Sequence, residues 1–221
     1  MKTFVNTVPA EHQMAGTDEV SFLGEREAPL KILVLGNSIT RHAPSEALGW
    51  HGDWGMAAST PEKDYVHRLF AMLKESGAEP YMMVRQASHW ERHFREADCL
   101  SAYEDERAFG ADVVIFRLGE NVGRTSSEEF RDAILRFLGF VMPVGARAVL
   151  TTCFWKNGVR DRAIREAAEA LGFPCADIGC TDEALMALGA FSHRGVAAHP
   201  GDEGMAMIAE KLFFCMGDCT K

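Results

Sequence analysis

The sequence places three side chains that are capable of joint chemistry far apart along the chain. Ser38 lies in the stretch GNSIT at residues 36–40, Asn121 ends the stretch GEN at residues 119–121, and His199 lies near the end of the chain. A serine hydroxyl beside an imidazole forms a nucleophile with its general base. An asparagine amide and backbone N–H groups can bind the oxyanion that forms when a hydroxyl attacks a carbonyl group. These residue types therefore indicate acyl transfer through a serine.

Short apolar runs predict the strands that must hold these side chains. Runs of this kind are typical of parallel strands that are buried on both faces. They are Ile32–Leu35, Tyr81–Val84, Val113–Phe116 and Ala148–Thr152, with a weaker run at Pro174–Ile178.

Amphipathic helices alternate with these runs. Apolar residues recur at helical spacing from Pro61, from about Ser126, from about Val159 to Leu171, and after Pro200. The first two helix starts carry capping-box spacings, in which a serine is followed three residues later by a glutamate. The alternation predicts the α/β class: a three-layer α/β/α sandwich around a parallel sheet of about five strands, with right-handed crossovers.

This topology predicts that the reactive residues meet. Ser38 follows the first predicted strand, residues 85–88 follow the second, Asn121 follows the third, and His199 precedes the last helix. Ligands of such sheets bind outside the carboxyl ends of the strands. We therefore expect these segments to share one cleft.

The motifs resemble three sequence blocks of the SGNH, or GDSL-type, hydrolases. The GNS stretch resembles the first block, GEN resembles the third, and the His199-Pro200 pair resembles the fifth, in the family's order and spread from residue 31 to about residue 215. The resemblance implies a flavodoxin-like sheet and ester hydrolysis through an acyl-enzyme, with no cofactor. It implies that Ser38 is the nucleophile and one oxyanion donor, that Asn121 is a second donor, and that His199 is the general base and then the acid.

Two positions depart from the family's pattern. The second block supplies a glycine N–H to the oxyanion hole, whereas Ser88 or Ala87 occupies that place here, and Ser88 is the favoured donor. The family also has an aspartate three residues before the histidine, a position taken here by Val196. We expect a backbone carbonyl of the His199 loop or a carboxylate from elsewhere to orient the ring. The candidate acids are Glu91, Glu120, Asp177 and Asp182.

Other residues are candidates for the substrate pocket. Trp50 and Trp54 lie in a glycine-rich loop after the nucleophile, where they either wall a pocket for a sugar or acyl group or anchor the loop. Arg85, Arg92 and Arg117 lie near strand ends, where they either bind a substrate carboxylate or form internal ion pairs.

No metal, cofactor or nucleotide site is expected. His89 and His93 have the spacing of metal ligands on a helix, but the sequence offers no third ligand for a zinc signature, so we interpret them as polar residues beside the cleft. Neither nucleotide-binding glycine motif occurs.

Composition narrows the class of protein. The 221 residues include 47% hydrophobic and 25% charged residues, as in an ordinary globular protein. The net charge of −9 argues against nucleic acid or an anionic membrane surface as the main partner. Scattered cysteines and the lack of a signal-like start favour a cytoplasmic protein. We expect one domain over residues 30–221, preceded by an extension at residues 1–29; its oligomeric state is left open.

The leading hypothesis is an SGNH-type serine esterase that cleaves short acyl esters, most simply acetyl groups on a carbohydrate. The alternatives are a lysophospholipase or thioesterase that acts on lipid esters, an acyltransferase with an acceptor other than water, and a carbohydrate-binding domain that has lost catalysis. The two departures from the family's pattern motivate the last alternative.

Overall fold

A six-stranded mixed sheet forms the centre of the computed structural model, which describes residues 20–217. Its strands are β1 (Val20–Leu23), β2 (Leu30–Gly36), β3 (Pro80–Gln86), β4 (Val113–Arg117), β5 (Arg147–Thr151) and β6 (Cys175–Ala176). Their order is β1-β3-β2-β4-β5-β6; β2 to β6 run parallel, and β1 pairs antiparallel with β3. The predicted parallel sheet is confirmed, with one antiparallel edge strand in addition to the five expected.

Helices cover both faces of this sheet. They are α1 (Tyr65–Glu75), α2 (Ser88–His93), α3 (Glu104–Phe109), α4 (Ser127–Val141), α5 (Gly158–Leu171), α6 (Arg194–Ala197) and α7 (Asp202–Met216). Ile32 and Val34 of β2 pack in one core with apolar residues of α1 and α7, while Leu33 and Leu35 pack in the other with residues of α4 and α5. Successive side chains of a strand point to opposite faces, so a continuous apolar strand needs a helical layer on each side.

The strand β1 lies in the stretch that the sequence analysis assigns to an N-terminal extension. Only Val20 of its four residues is buried, and the others are half-buried. A strand this short shows too few residues for a period to be recognised. The first part of the predicted extension, residues 1–19, lies outside the described residues.

Capping side chains set where the helices begin. At α4 the prediction is confirmed, because the Ser126 side chain accepts a hydrogen bond from the Glu129 N–H at 3.1 Å. The first helix begins later than predicted: residues 61–63 form a 3₁₀ turn, and Asp64 caps α1 by accepting from the His67 N–H at 2.8 Å. Ser59 is not the cap there, because its hydroxyl donates to Asp202 of α7 at 2.7 Å.

Helix length and the state of the cysteines also relate to the sequence predictions. No helix within residues 20–217 is long and apolar enough to cross a membrane. Cys99, Cys153, Cys175 and Cys180 are free thiols.

The turn after β2 brings the chain straight back onto the strand. The Thr40 and Arg41 N–H groups both donate to the Asn37 carbonyl oxygen, at 2.9 and 3.0 Å. A Cβ atom on Gly36 would lie 1.7 Å from the Thr40 hydroxyl oxygen, which itself lies 2.7 Å from the Tyr65 hydroxyl. Only glycine at position 36 therefore leaves room for the turn that carries Ser38.

This packing predicts opposite effects for two glycine substitutions. Gly36→Ala should lower the free energy of unfolding by about 3 kcal/mol, because the methyl group must displace Thr40 from its bond with Tyr65. Gly139→Ala, in the last turn of α4 with open space around it, should raise it by up to about 1 kcal/mol. Urea unfolding of both variants checks this, and a Gly36→Ala protein as stable as the wild type would contradict it.

Candidate active site

A cleft of about 330 Å³ lies at the carboxyl end of the sheet. Four residues expected from the sequence line it together: Ser38 after β2, Ser88 at the start of α2, Asn121 after β4, and His199 before α7. The carboxyl ends of parallel strands meet at one edge, which brings loops more than 150 residues apart into contact.

Ser38 and His199 form a hydrogen-bonded pair. The Ser38 Oγ atom lies 2.8 Å from His199 Nε2, and His199 Nδ1 lies 2.7 Å from the Gly195 carbonyl oxygen. A carbonyl oxygen can only accept, so Nδ1 carries the ring proton and the Nε2 lone pair faces the serine hydroxyl. The ring is therefore held in the tautomer that can take the serine proton.

This arrangement corrects the expectation of an orienting acid. All four candidate carboxylates bond elsewhere: Glu91 and Glu120 beneath the cleft, Asp177 with Thr152 and Arg165, and Asp182 as the cap of the turn at residues 183–185. Since α6 forms one turn just before His199, the backbone itself presents a carbonyl to the ring. Of the two alternatives left open by the sequence, the structure shows the backbone carbonyl.

The surroundings of His199 favour its neutral form. Burial lowers the pKa of His199 to about 4, and the charges of Arg117 and His42 act in the same direction. Trp155 packs edge-on against the imidazole, with ring centroids 5.3 Å apart, and its indole N–H donates to the Ala198 carbonyl oxygen at 3.2 Å. Trp155 is not among the predicted site residues; its position shortly after the end of β5 is the one sequence feature that points to the cleft.

Asn121 and the Ser38 backbone have N–H groups that are not used up by internal acceptors, and both residues line the cleft. The Ser38 N–H donates to no acceptor within residues 20–217. One hydrogen of the Asn121 amide donates to Glu91 Oε2 at 2.6 Å, which leaves the second hydrogen for a ligand. These two groups fit the oxyanion role that the resemblance implies.

Glu91 ties the elements of the site together from below. Its Oε1 atom accepts from the Gly119 N–H at 2.6 Å, the Asn121 N–H at 3.2 Å and the Asn37 amide at 3.1 Å. Burial and the nearby Glu120 carboxylate raise the pKa of Glu91, while its N–H donors act in the opposite direction. Four donors on one carboxylate therefore hold α2 against the turns after β2 and β4.

Glu120 is the second buried carboxylate of this network. It pairs with Arg117 at 2.5 Å and accepts from the Asn37 amide at 2.7 Å and from the Phe154 N–H at 2.8 Å. Burial alone would raise the pKa of Glu120, but the Arg117 guanidinium together with the Phe154 and Asn37 N–H donors outweighs it and keeps the pKa below its usual value. The side chain of Arg117 is fully buried, so it is not the pocket residue that the sequence suggested.

The backbone N–H groups of Ala87 and Ser88, the two candidates for the second-block donor, already have acceptors within the protein. The Ala87 N–H donates to the Gly36 carbonyl oxygen at 2.6 Å as part of the sheet, which excludes the less favoured candidate. The Ser88 N–H and hydroxyl both donate to the Gln86 side-chain oxygen, at 3.0 and 2.9 Å. The Ser88 N–H thus reaches a ligand only when the Gln86 amide moves aside.

Trp50 and Trp54 do not wall the cleft, which corrects that expectation. They are 0% and 2% exposed and pack edge to face, 5.5 Å apart. Their indole N–H groups donate to the His42 and Ala58 carbonyl oxygens, at 2.8 and 3.1 Å. The hydrophobic effect and these internal acceptors place both rings under the loop.

The cleft is completed by residues that the sequence analysis did not assign to it. They are His42, Leu48 and Met56 of the long loop after β2, and His193, Gly195 and Val196 before His199. Gln86, which belongs to the expected segment at residues 85–88, lines the cleft as well. The available signal is the length of the first loop, because long loops at strand ends often carry function. Of the three candidate arginines, only Arg92 lines the cleft.

The two histidines of α2 lie side by side without a third ligand. The His89 and His93 rings stack with centroids 4.2 Å apart, and His93 pairs with Glu96 at 2.7 Å. Within residues 20–217, no group of three or more His, Cys, Asp or Glu side chains is arranged to hold a metal ion.

Solved structures share this architecture. No protein-family model and no curated protein sequence matches the chain. LAE5, an alpha/beta hydrolase enzyme from the metagenome of Lake Arreo in Spain, matches with a TM-score of 0.59 and 18% identity over 88% of this chain and 97% of that one. A GDSL-like lipase candidate from Parabacteroides merdae matches with a TM-score of 0.55 and 18% identity over 86% and 96%. This chain has the fold of the GDSL-type hydrolases.

Similarity to this GDSL-type fold extends to larger proteins. A two-domain esterase active on acetylated mannans matches with a TM-score of 0.55 and 20% identity, over 87% of this chain and 49% of that one. At such identities the comparison shows the shared fold, and it confirms the fold class that the sequence motifs implied.

Within this GDSL-type fold, Glu91 is predicted to position Asn121. Glu91→Gln keeps the volume but turns an amide donor toward the Asn121 amide, so the reaction of Ser38 with a fluorophosphonate should slow by about tenfold or more. The rate is measured by intact-mass spectrometry over time.

Making Glu91→Gln in an Asn121→Ala protein distinguishes a loss of Asn121 positioning from a general loss of structure. In Asn121→Ala protein the oxyanion amide is already absent, so adding Glu91→Gln should change the rate little. Equal slowing in both backgrounds would refute the positioning role. Urea unfolding of each variant provides the stability control.

The lowered pKa of His199 predicts an acid limit well below the usual range of histidine. Only neutral imidazole accepts the Ser38 proton, so phosphonylation should decline as the pH falls through about 4 rather than through about 6.5. Rates are measured from pH 3.5 upward at constant ionic strength, with recovery at pH 7 as the control for unfolding. A midpoint near 6.5 would contradict the burial effect.

Proposed function

We propose that this protein is a serine esterase that hydrolyses short acyl esters. The observation that carries the proposal is the 2.8 Å contact of Ser38 Oγ with a His199 ring whose tautomer is set for proton acceptance. The unengaged Ser38 N–H and the second Asn121 amide hydrogen support it, because Ser38 and Asn121 line the same cleft and both groups can donate to an oxyanion there.

The first half-reaction forms an acyl-enzyme. Ser38 Oγ bonds to the ester carbonyl carbon as its proton passes to His199 Nε2, and the carbonyl oxygen becomes an oxyanion held by the Ser38 N–H and the Asn121 amide. The oxyanion then collapses, the bond to the alkoxy oxygen breaks, and His199 returns its proton to that oxygen. An alcohol leaves, and the acyl group stays on Ser38.

The second half-reaction releases the acid. A water molecule gives a proton to His199 as its oxygen bonds to the acyl carbon, and the same N–H groups hold the new oxyanion. Collapse breaks the bond to Ser38 Oγ, which takes the proton back from His199. The products are a carboxylic acid and an alcohol, and the enzyme returns to its starting state.

The substrate we propose is a short acyl ester, with an acetyl group on a carbohydrate as the leading case. A cleft of about 330 Å³ is at the lower end of the usual range for small-ligand sites. A structural neighbour is active on acetylated mannans, which supports a carbohydrate ester. Trp50 and Trp54 are buried, so they offer no stacking face to a sugar in the cleft.

Fluorophosphonate labelling tests the nucleophile. We expect one adduct on the wild type, mapped to Ser38, and none on Ser38→Ala or His199→Ala protein. His93→Ala is the matched control, because His93 lies at the end of α2, outside the residues that line the cleft, and its loss should leave the adduct in place. A wild type that stays unlabelled would instead favour the binding domain without catalysis.

A chain-length series tests the substrate class. The rate constant kcat/KM for nitrophenyl esters should be highest for acetate and fall as the acyl chain lengthens, because the cleft is small. Rates that rise towards acyl chains of about eight carbons would favour the lipid esterase instead. Acetate released from acetylated mannan, compared with Ser38→Ala protein, tests the carbohydrate directly.

A further inference from the structure

The charge of the cleft differs from that of the whole molecule. Its ionisable lining residues are Arg92, His42, His193 and His199, and it is lined by no aspartate or glutamate from residues 20–217. The chain carries a net charge of −9. A site without acidic side chains in an acidic protein favours an anionic ligand.

Arg92 differs from the other two candidate arginines in its partners. Arg85 lies 3.4 Å from Glu106 and over the Tyr103 ring, and Arg117 is paired with Glu120. Arg92 is exposed, and its side chain bonds to no acceptor within residues 20–217. A guanidinium with its donors unused is suited to bind a carboxylate through two parallel hydrogen bonds.

Helical spacing puts Arg92 on the same face of α2 as Ser88. Arg92 follows Ser88 by four residues on α2, and both line the cleft. Residues at this spacing share a helix face, with Cβ atoms about 5–6 Å apart. Glu91 faces the other way, beneath the cleft, where its oxygens are taken by the N–H groups of Gly119, Asn121 and Asn37.

We infer that the ester cleaved here carries a second, anionic group, a carboxylate a few bonds from the ester carbonyl, which Arg92 binds. This inference rests on the proposed function and narrows its substrate class. The carboxylate belongs either to the acid part, as in a dicarboxylic monoester, or to the alcohol part, as in an acetylated acidic sugar. Arg92 would thus be a specificity-determining residue.

Paired esters that differ only in charge test this inference. For the acid part, mono-para-nitrophenyl adipate is compared with the matching adipamate, in which an amide replaces the carboxylate. For the alcohol part, para-acetoxybenzoate is compared with para-acetoxybenzamide. In at least one pair the wild type should prefer the anionic ester, and Arg92→Gln should lower the ratio of kcat/KM values about five- to tenfold.

The control is Arg124→Gln, which removes an exposed arginine that does not line the cleft. It should change the ratio by less than about twofold, since an exposed charge outside the site is screened. A ratio that is the same for wild type and Arg92→Gln in both pairs would overturn the inference. In that case turnover of the neutral esters would still support the esterase.

A binding measurement tests the anion site independently of whether the protein is an esterase. Monoethyl adipate is titrated calorimetrically into Ser38→Ala protein, with and without Arg92→Gln. The same titrations are made with para-acetoxybenzoate, which carries its carboxylate on the alcohol part. Binding of either compound that Arg92→Gln weakens supports the anion site even if no ester is turned over, and equal or absent binding of both compounds overturns it.

Discussion

The buried network of Asn37, Glu91, Glu120 and Arg117 is the interaction on which the rest of the site depends. It joins the turn after β2, the helix after β3, the turn after β4 and, through the Phe154 N–H, the segment after β5. Buried charges are tolerated only when they are paired and hydrogen-bonded, and here each carboxylate oxygen has a donor or an ion-pair partner. The strands bring the loops to one edge, and this network sets how the loops lie there.

In the proposed mechanism, His199 is a general base that is oriented without a carboxylate. The Gly195 carbonyl supplies what the ring needs before reaction, namely one fixed tautomer with its lone pair toward Ser38. It brings no full negative charge to stabilise the imidazolium that forms during attack. The Glu120 charge raises the pKa of His199, but the charge of Arg117, which is paired with Glu120, lowers that pKa more strongly, so this ion pair gives the imidazolium no net support. An aspartate at position 196 is therefore not required for the geometry, although its absence leaves the charged ring less stabilised.

The parts that were predictable from the sequence depend on short stretches of chain. Apolar runs predict the parallel strands, and the capping-box spacing predicts the Ser126 cap. The convergence of Ser38, Asn121 and His199 follows because the carboxyl ends of parallel strands meet at one edge of the sheet. The roles of Trp50 and Trp54 depend on which side of a loop faces inward, and no hydrophobic period shows that. The role of Glu91 depends on which face of α2 is buried, and a helix of 6 residues is too short for a period to show it. Arg85, Arg92 and Arg117 look equivalent in sequence, yet their partners in the fold separate them completely.

The buried tryptophans explain how a long loop can still form a defined wall. Trp50 and Trp54 anchor residues 42–58 to the core through packing and through hydrogen bonds to backbone carbonyls. The same loop turns His42, Leu48 and Met56 toward the cleft. Large aromatic residues under a loop lower its freedom without occupying the site, so the residues above them lose less conformational entropy when a ligand binds. This wall of the cleft is therefore held by the buried tryptophans on its core side. Its ligand-facing residues can vary in type while the tryptophans keep the loop ordered.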